Sequence, residues 1–153
     1  MTDDAKPGNV EGCDLCTSAG GELLWRDDKC RVVLVADPDY AGFCRVIWHA
    51  HVKEMTDLSE ADQQRCFRVV LSVERAMRDE LKPHKINLAS FGNMTPHLHW
   101  HVIARDIEDA HFPESVWGVR QRTPPSVAAE TRRLVGERLT NSLSKLRSLS
   151  AGC

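Results

Sequence analysis

The chain has no apolar run near the ~20 residues that a membrane helix needs, so no segment reads as a membrane span. It has little net charge, −2 at pH 7. A protein that lives on a nucleic-acid polymer usually carries a clustered basic excess, so that class is disfavoured. A small nucleotide needs only local donors and is not excluded. The start, Met1-Thr2-Asp3-Asp4-Ala5-Lys6, lacks the basic-then-apolar layout of a secretory signal, and a cytoplasmic location is expected. No internal repeat stands out. Closely spaced cysteines are also scarce: of six, only Cys13 and Cys16 form a near pair. A chain of this size without a secretory signal needs no disulfide staples. Cys30, Cys44 and Cys66 read as small buried hydrophobes.

What is present fits one soluble domain. Residues 1–12 are polar and read as a flexible N-terminal tail. Residues 13–153 read as a single domain that includes a C-terminal helix. Glu22 to Arg26, Cys30 to Val35 and Phe43 to Trp48 are predicted strands, with a turn at Asp27-Asp28-Lys29. Ser59-Glu60-Ala61-Asp62 has the form of a helix N-terminus, a side-chain oxygen for the first amides and acids at the positive dipole end. That helix should stop before Pro83. Phe67, Val70, Leu71, Met77 and Leu81 are predicted to form its inward face. Lys85 to Phe91 and His97 to Ala104 are two further strands. A second helix is predicted over about Val127 to Leu146, with Leu134, Val135, Leu139, Leu143 and Leu146 as its stripe. The expected class is therefore α+β, a five-stranded mainly antiparallel sheet with one central and one C-terminal helix.

The chemistry concentrates in His97-Leu98-His99-Trp100-His101. Alternate residues of a strand share a face. A strand here would set His97, His99 and His101 in one row, about 6.5–7 Å apart at ~3.3 Å rise per residue. Leu98, Trp100 and Val102 would pack behind. Imidazoles near neutrality can act as nucleophile, proton donor or metal ligand. Asn93, in the Gly92-Asn93 turn, and Asp37, which opens the Asp37-Pro38-Asp39 loop, read as turn residues that satisfy their own backbone, and Trp117 reads as packing beneath a loop. The Cys13-x-x-Cys16 pair is open between a redox couple, half a zinc site and two free thiols.

The run His97 to Ile103 resembles the histidine triad (HIT) signature, His-φ-His-φ-His-φ-φ with φ apolar. Phe43 to His51 is similar to the family's strand that ends in an additional His, and the Thr56-Asp57-Leu58 segment and following helix fit the same layout. Many members have Pro-Lys-Arg where this chain has Trp48-His49-Ala50. The resemblance implies a helix-backed antiparallel sheet, a homodimer, and nucleotide hydrolase or nucleotidyl transferase chemistry at the α-phosphorus. It makes His99 the nucleophile that carries the nucleotidyl group, and His101 a donor to a phosphate oxygen or leaving group. It implies dinucleoside polyphosphates as substrates, with nucleoside phosphoramidates as the alternative. It also makes Asn93 a candidate donor to the phosphate oxygens, Asp37 a candidate acceptor for ribose hydroxyls, and Trp117 a residue that reaches the active site or the dimer partner. Several members bind a structural zinc through an N-terminal CxxC. Carried over, the ligands are Cys13, Cys16, His51 and His97, with His49 as a rival to His51. Two other classes stay open: a catalytic metalloenzyme built on the His row, and a nucleotide-binding module without turnover.

Overall fold

The computed structural model describes residues 9–150, with side chains up to Leu146. Most of the expected N-terminal tail, and Cys153, lie outside the described residues. Five strands are formed: β1 (Glu22–Arg26), β2 (Cys30–Leu34), β3 (Phe43–Trp48), β4 (Lys85–Ala89) and β5 (His99–Arg105). They make one sheet in the order β1-β2-β3-β5-β4, antiparallel at every pairing. Three helices accompany it: α1 (Asp14–Thr17), α2 (Glu60–Leu81) and α3 (Ala129–Ser150). The short α1 was not expected. Among these helices none is long and apolar enough to cross a membrane.

Local chemistry sets the boundaries. Asp27 Oδ1 accepts from the backbone N–H groups of Lys29 and Cys30, both at 2.8 Å, which closes the β1–β2 turn. Arg65 of α2 ion-pairs with the other oxygen of Asp27 and ties that turn to the helix. Ser59 caps α2 by accepting from Asp62 N–H at 3.2 Å. Lys82 ends it in the left-handed region, φ 48°, just before Pro83.

The main core lies between one face of the sheet and the two long helices. Val32, Leu34, Cys44, Val46, Trp48, Leu98 and Val102 come from the sheet side. Cys66, Val69, Val70, Val73, Ala76 and Met77 come from α2, and Val135, Leu139, Leu143 and Leu146 from α3. Each fully buried aliphatic side chain here contributes ~1.5–3 kcal/mol. The inward face of α2 differs from the one predicted: Phe67 and Leu71 are exposed, at 41% and 51%. The buried face is instead Cys66, Val69, Val70, Val73, Ala76 and Met77, and Phe67 lies beside it against Trp100, ring centres 5.1 Å apart. Leu134 likewise sits outside the α3 stripe. The α3 stripe is buried against α2 and β1 of the same chain.

The opposite face of the sheet carries Arg31 and Val33, Phe43, Arg45 and Ile47, and His99, His101 and Ile103, which the strand registers bring side by side. Loops cover it. Cys13 and Leu15 pack on Val33 and Ile47 at one end, and Tyr40 and Val116 pack with Phe43 and Ile103 at the other.

Candidate active site and metal cluster

Between those two loop-covered ends lies a cavity of about 630 Å³, lined by Arg45, Phe91, Gly92, Asn93, Met94, Thr95, His99, His101, Ser115 and Trp117. His99 and His101 stand side by side on β5, ring centres 4.9 Å apart. The strand does not reach His97. Its N–H bonds the Thr95 carbonyl at 2.8 Å, a tight turn about Pro96. The proline, with no N–H to give a ladder, starts the strand two residues later than predicted. The row of three thus divides into a pair that lines the cavity and one residue that serves elsewhere.

Backbone carbonyls set the tautomers. His99 Nδ1 lies 2.6 Å from the carbonyl oxygen of His97. A carbonyl only accepts, so Nδ1 carries the proton and Nε2 keeps its lone pair. Burial lowers the proton affinity of His99; the bond to His97 opposes that, and the charge of Arg45 adds to it. His101 is pushed down to about 4 by burial first, then by His99 and Arg45. Both rings are therefore neutral at pH 7. His101 Nδ1 is buried without a protein partner, and the ring is held between Phe43 and Trp117, at centre distances of 5.7 and 4.8 Å.

His97 is fully buried. Its Nε2 lies 2.5 Å from the Trp48 carbonyl oxygen, so the proton is there and the Nδ1 lone pair faces the thiols. That Nδ1 is 3.5 Å from Cys13 Sγ and 3.4 Å from Cys16 Sγ, and His51 Nδ1 is 3.3 Å from Cys16 Sγ. The four candidate ligand atoms all lie within 4.8 Å of one another. A tetrahedral zinc with Zn–S ~2.3 Å and Zn–N ~2.0–2.1 Å requires sulfur–nitrogen separations of about 3.6 Å. The donor set and its spacing fit a closed site. Arg31 fastens the cysteine-bearing segment, donating to the carbonyls of Leu15, Ser18 and Ala19. His49, the rival ligand, is not in the cluster; it lines a separate cavity with Asp28, Lys29 and Asp57.

A sequence model of the HIT domain matches residues 18–108, more than half of the chain. The chain belongs to the HIT family. A relative described as an AP-4-A phosphorylase of Mycobacterium tuberculosis is 27% identical over 121 residues, 75% of this chain and 61% of that protein. The chain thus spans less than two thirds of the relative's length. Among solved structures, a histidine triad protein of Marinobacter aquaeolei is 25% identical with a TM-score of 0.72, over 91% of this chain and 99% of that one. One of Bradyrhizobium japonicum is 28% identical with a TM-score of 0.70, over 79% and 90%. A zinc-bound histidine triad family protein of Mycobacterium smegmatis shares the fold at 21% identity and a TM-score of 0.62, over 90% and 97%.

Within this HIT domain the remaining candidates separate. Asn93 lines the cavity beside Gly92, whose φ of 73° suits glycine. Asp37 is not among the lining residues. Its Oδ1 accepts from Asp39 N–H at 2.8 Å, the turn-starting role. Trp117 does reach the cavity, against His101 and Phe91. Arg45 was missed. It is the one charged residue in Phe43–Trp48, placed opposite His101 by the β3–β5 register. Its alternation with Phe43 and Ile47 was the available signal.

Proposed function

We propose that this HIT protein is a nucleotide hydrolase or nucleotidyl transferase that acts at the α-phosphorus through a covalent intermediate on His99. The observation that carries this reading is the fixed tautomer of His99, with Nδ1–H committed to the His97 carbonyl and a lone pair left on a ring that lines the cavity. In the first step Nε2 forms a bond to phosphorus while the bond to the leaving group breaks. In the second, water or another acceptor oxygen takes the nucleotidyl group and His99 recovers its lone pair. His101, neutral beside it, offers an N–H to a phosphate oxygen or the departing atom. Asn93 is suited to donate to the phosphate as well. Dinucleoside polyphosphates are the proposed substrates, in keeping with the description of the mycobacterial relative.

We also propose that Cys13, Cys16, His51 and His97 hold a structural zinc, by analogy with the zinc-bound histidine triad family protein of Mycobacterium smegmatis. With four protein ligands such an ion leaves no open position, and its contribution is to fix His97. His97 in turn presents the carbonyl that orients His99.

The test follows AMP release from diadenosine tetraphosphate and from adenosine 5′-phosphoramidate. His99→Ala should lose about 10³-fold or more in kcat/KM on either substrate. Parent protein quenched during turnover should carry one added nucleotidyl mass that the variant lacks. Equal rates in parent and variant would remove His99 from the chemistry.

A further inference from the structure

The cavity beside His99 and His101 contains a positive charge that forms no ion pair among the described residues. Arg45 faces His101 across the β3–β5 ladder and lines the same cavity. Its Nη1 donates to the Gly20 carbonyl at 3.1 Å, and its Nε is buried with no acceptor. It joins none of the ion pairs among the described residues. A guanidinium has five N–H donors, and here one of them has a protein acceptor. Burial is the single cause that lowers its proton affinity; no carboxylate offsets it.

Arg105, on the same sheet face of β5, is the internal control. It donates to Asp109 at 2.7 and 3.0 Å, to Asn87 at 2.7 Å and to the Glu114 carbonyl at 2.8 Å. This fold therefore does close a buried guanidinium where the charge is structural. Leaving one without a counter-ion in a half-buried place is costly, and an anionic ligand removes that cost. The planar fork suits a pair of phosphoryl oxygens.

We infer that Arg45 is a specificity-determining residue that binds the phosphoryl oxygens of an anionic leaving group, and so favours nucleoside polyphosphates over nucleotides with an amine leaving group. The inference rests on the proposed role of His99. Arg45 stands opposite His101, the proposed donor to a phosphate oxygen or the departing atom, whereas His99 is opposite Ile47. As the bond from His99 Nε2 to the α-phosphorus forms, the bond to the bridging oxygen breaks and its electron pair stays on that oxygen. The departing phosphate gains negative charge, which the guanidinium meets. A departing amine instead takes up a proton and leaves uncharged, so the cation gives it no comparable help.

The experiment compares parent, Arg45→Met, Arg45→Gln and Arg45→Lys. For the two neutral variants, kcat/KM for diadenosine tetraphosphate should fall at least tenfold more than for adenosine 5′-phosphoramidate, and Arg45→Lys should recover part of the difference. Equal losses on both substrates, or none, would overturn the inference. Binding of inorganic triphosphate by calorimetry tests the same residue without turnover: parent should bind it, and folded Arg45→Met or Arg45→Gln should bind at least tenfold more weakly. Parent that fails to turn over either substrate counts against the His99 reading alone. Triphosphate affinity that is absent in the parent, or unchanged in the neutral variants, counts against Arg45.

Discussion

Cys13, Cys16, His51 and His97 at one end of the site, and Arg105, Asp109, Tyr40 and His111 at the other, are two buried polar clusters completed in different ways. The second is closed by protein groups alone. Arg105 and Asp109 are 2% and 7% exposed at their side chains, and Asp109 also accepts from the backbone N–H groups of Asp106, His111 and Phe112. Burial on its own raises the Asp109 carboxyl; the bonds from Arg105 and from those amides outweigh it and hold the group well below the usual carboxylate range. In the first cluster thiols and imidazole nitrogens converge, one potential ligand atom from each of four residues, all within 4.8 Å of one another. One end is a finished ion pair and the other is a group of side chains that could hold a metal ion. The histidine pair between them depends on both, since His97 supplies the carbonyl for His99 and the loop after β5 supplies Trp117 against His101.

The comparison breaks most sharply at the thiol end. Elemental analysis of purified protein should find one zinc per chain, and none in Cys13→Ser with Cys16→Ser. Structural zinc sites contribute strongly to folding. Metal removal should therefore lower the melting temperature by more than about 10 °C, given ~2–4 °C per kcal/mol at this size. Full stability with the metal stripped would make the cysteines plain buried thiols.

A smaller effect is expected at the closed end. Asp109→Asn leaves Arg105 buried without its counter-ion, a change worth roughly 3–5 kcal/mol. Zinc content should not change. The pH dependence has a definite sign. A carboxylate whose folded proton affinity is depressed stabilises above its unfolded pKa of about 3.9 and loses that contribution as pH falls further. Denaturant melts of parent and Asp109→Asn should differ fully at pH 7 and converge progressively below about pH 4. A difference that persists undiminished at pH 2 would place the effect in packing rather than charge.

Much of the fold was legible because its signals are local. Ser59 and Pro83 bracket α2, and Asp27 marks the β1–β2 turn. The triad motif likewise drew attention to His99 and His101, which line the cavity, whereas Cys13, Cys16, His51 and His97 were grouped by the family resemblance and not by the CxxC spacing alone. The less legible features were set by contacts distant in sequence. The inward face of α2 was set by packing against the sheet and α3, which buries Cys66 and Ala76 and leaves Phe67 and Leu71 exposed. Pro96 moved the start of β5, so His97 left the row. Arg45 acquired its place only through pairing of β3 with β5, and Asp109 through the path of the loop after β5. For Arg45 the one local signal was its alternation with Phe43 and Ile47.

The finest test of the closed end is the Tyr40 hydroxyl. It lies 3.2 Å from Asp109 Oδ1 and 2.6 Å from His111 Nδ1, so its single proton can serve only one of them. The shorter contact requires one proton between the oxygen and Nδ1, given by Tyr40 or by His111. Burial, then the charge of Asp109, pushes the phenol up to about 12, so it stays protonated through neutral pH. Tyr40→Phe keeps the ring against Phe43 and removes only this bridge. The expected cost is about 1 kcal/mol, read as a shift in the denaturation midpoint, with zinc content unchanged. A loss as large as that of Asp109→Asn would mean that the hydroxyl, rather than the guanidinium, is what keeps Asp109 ionised.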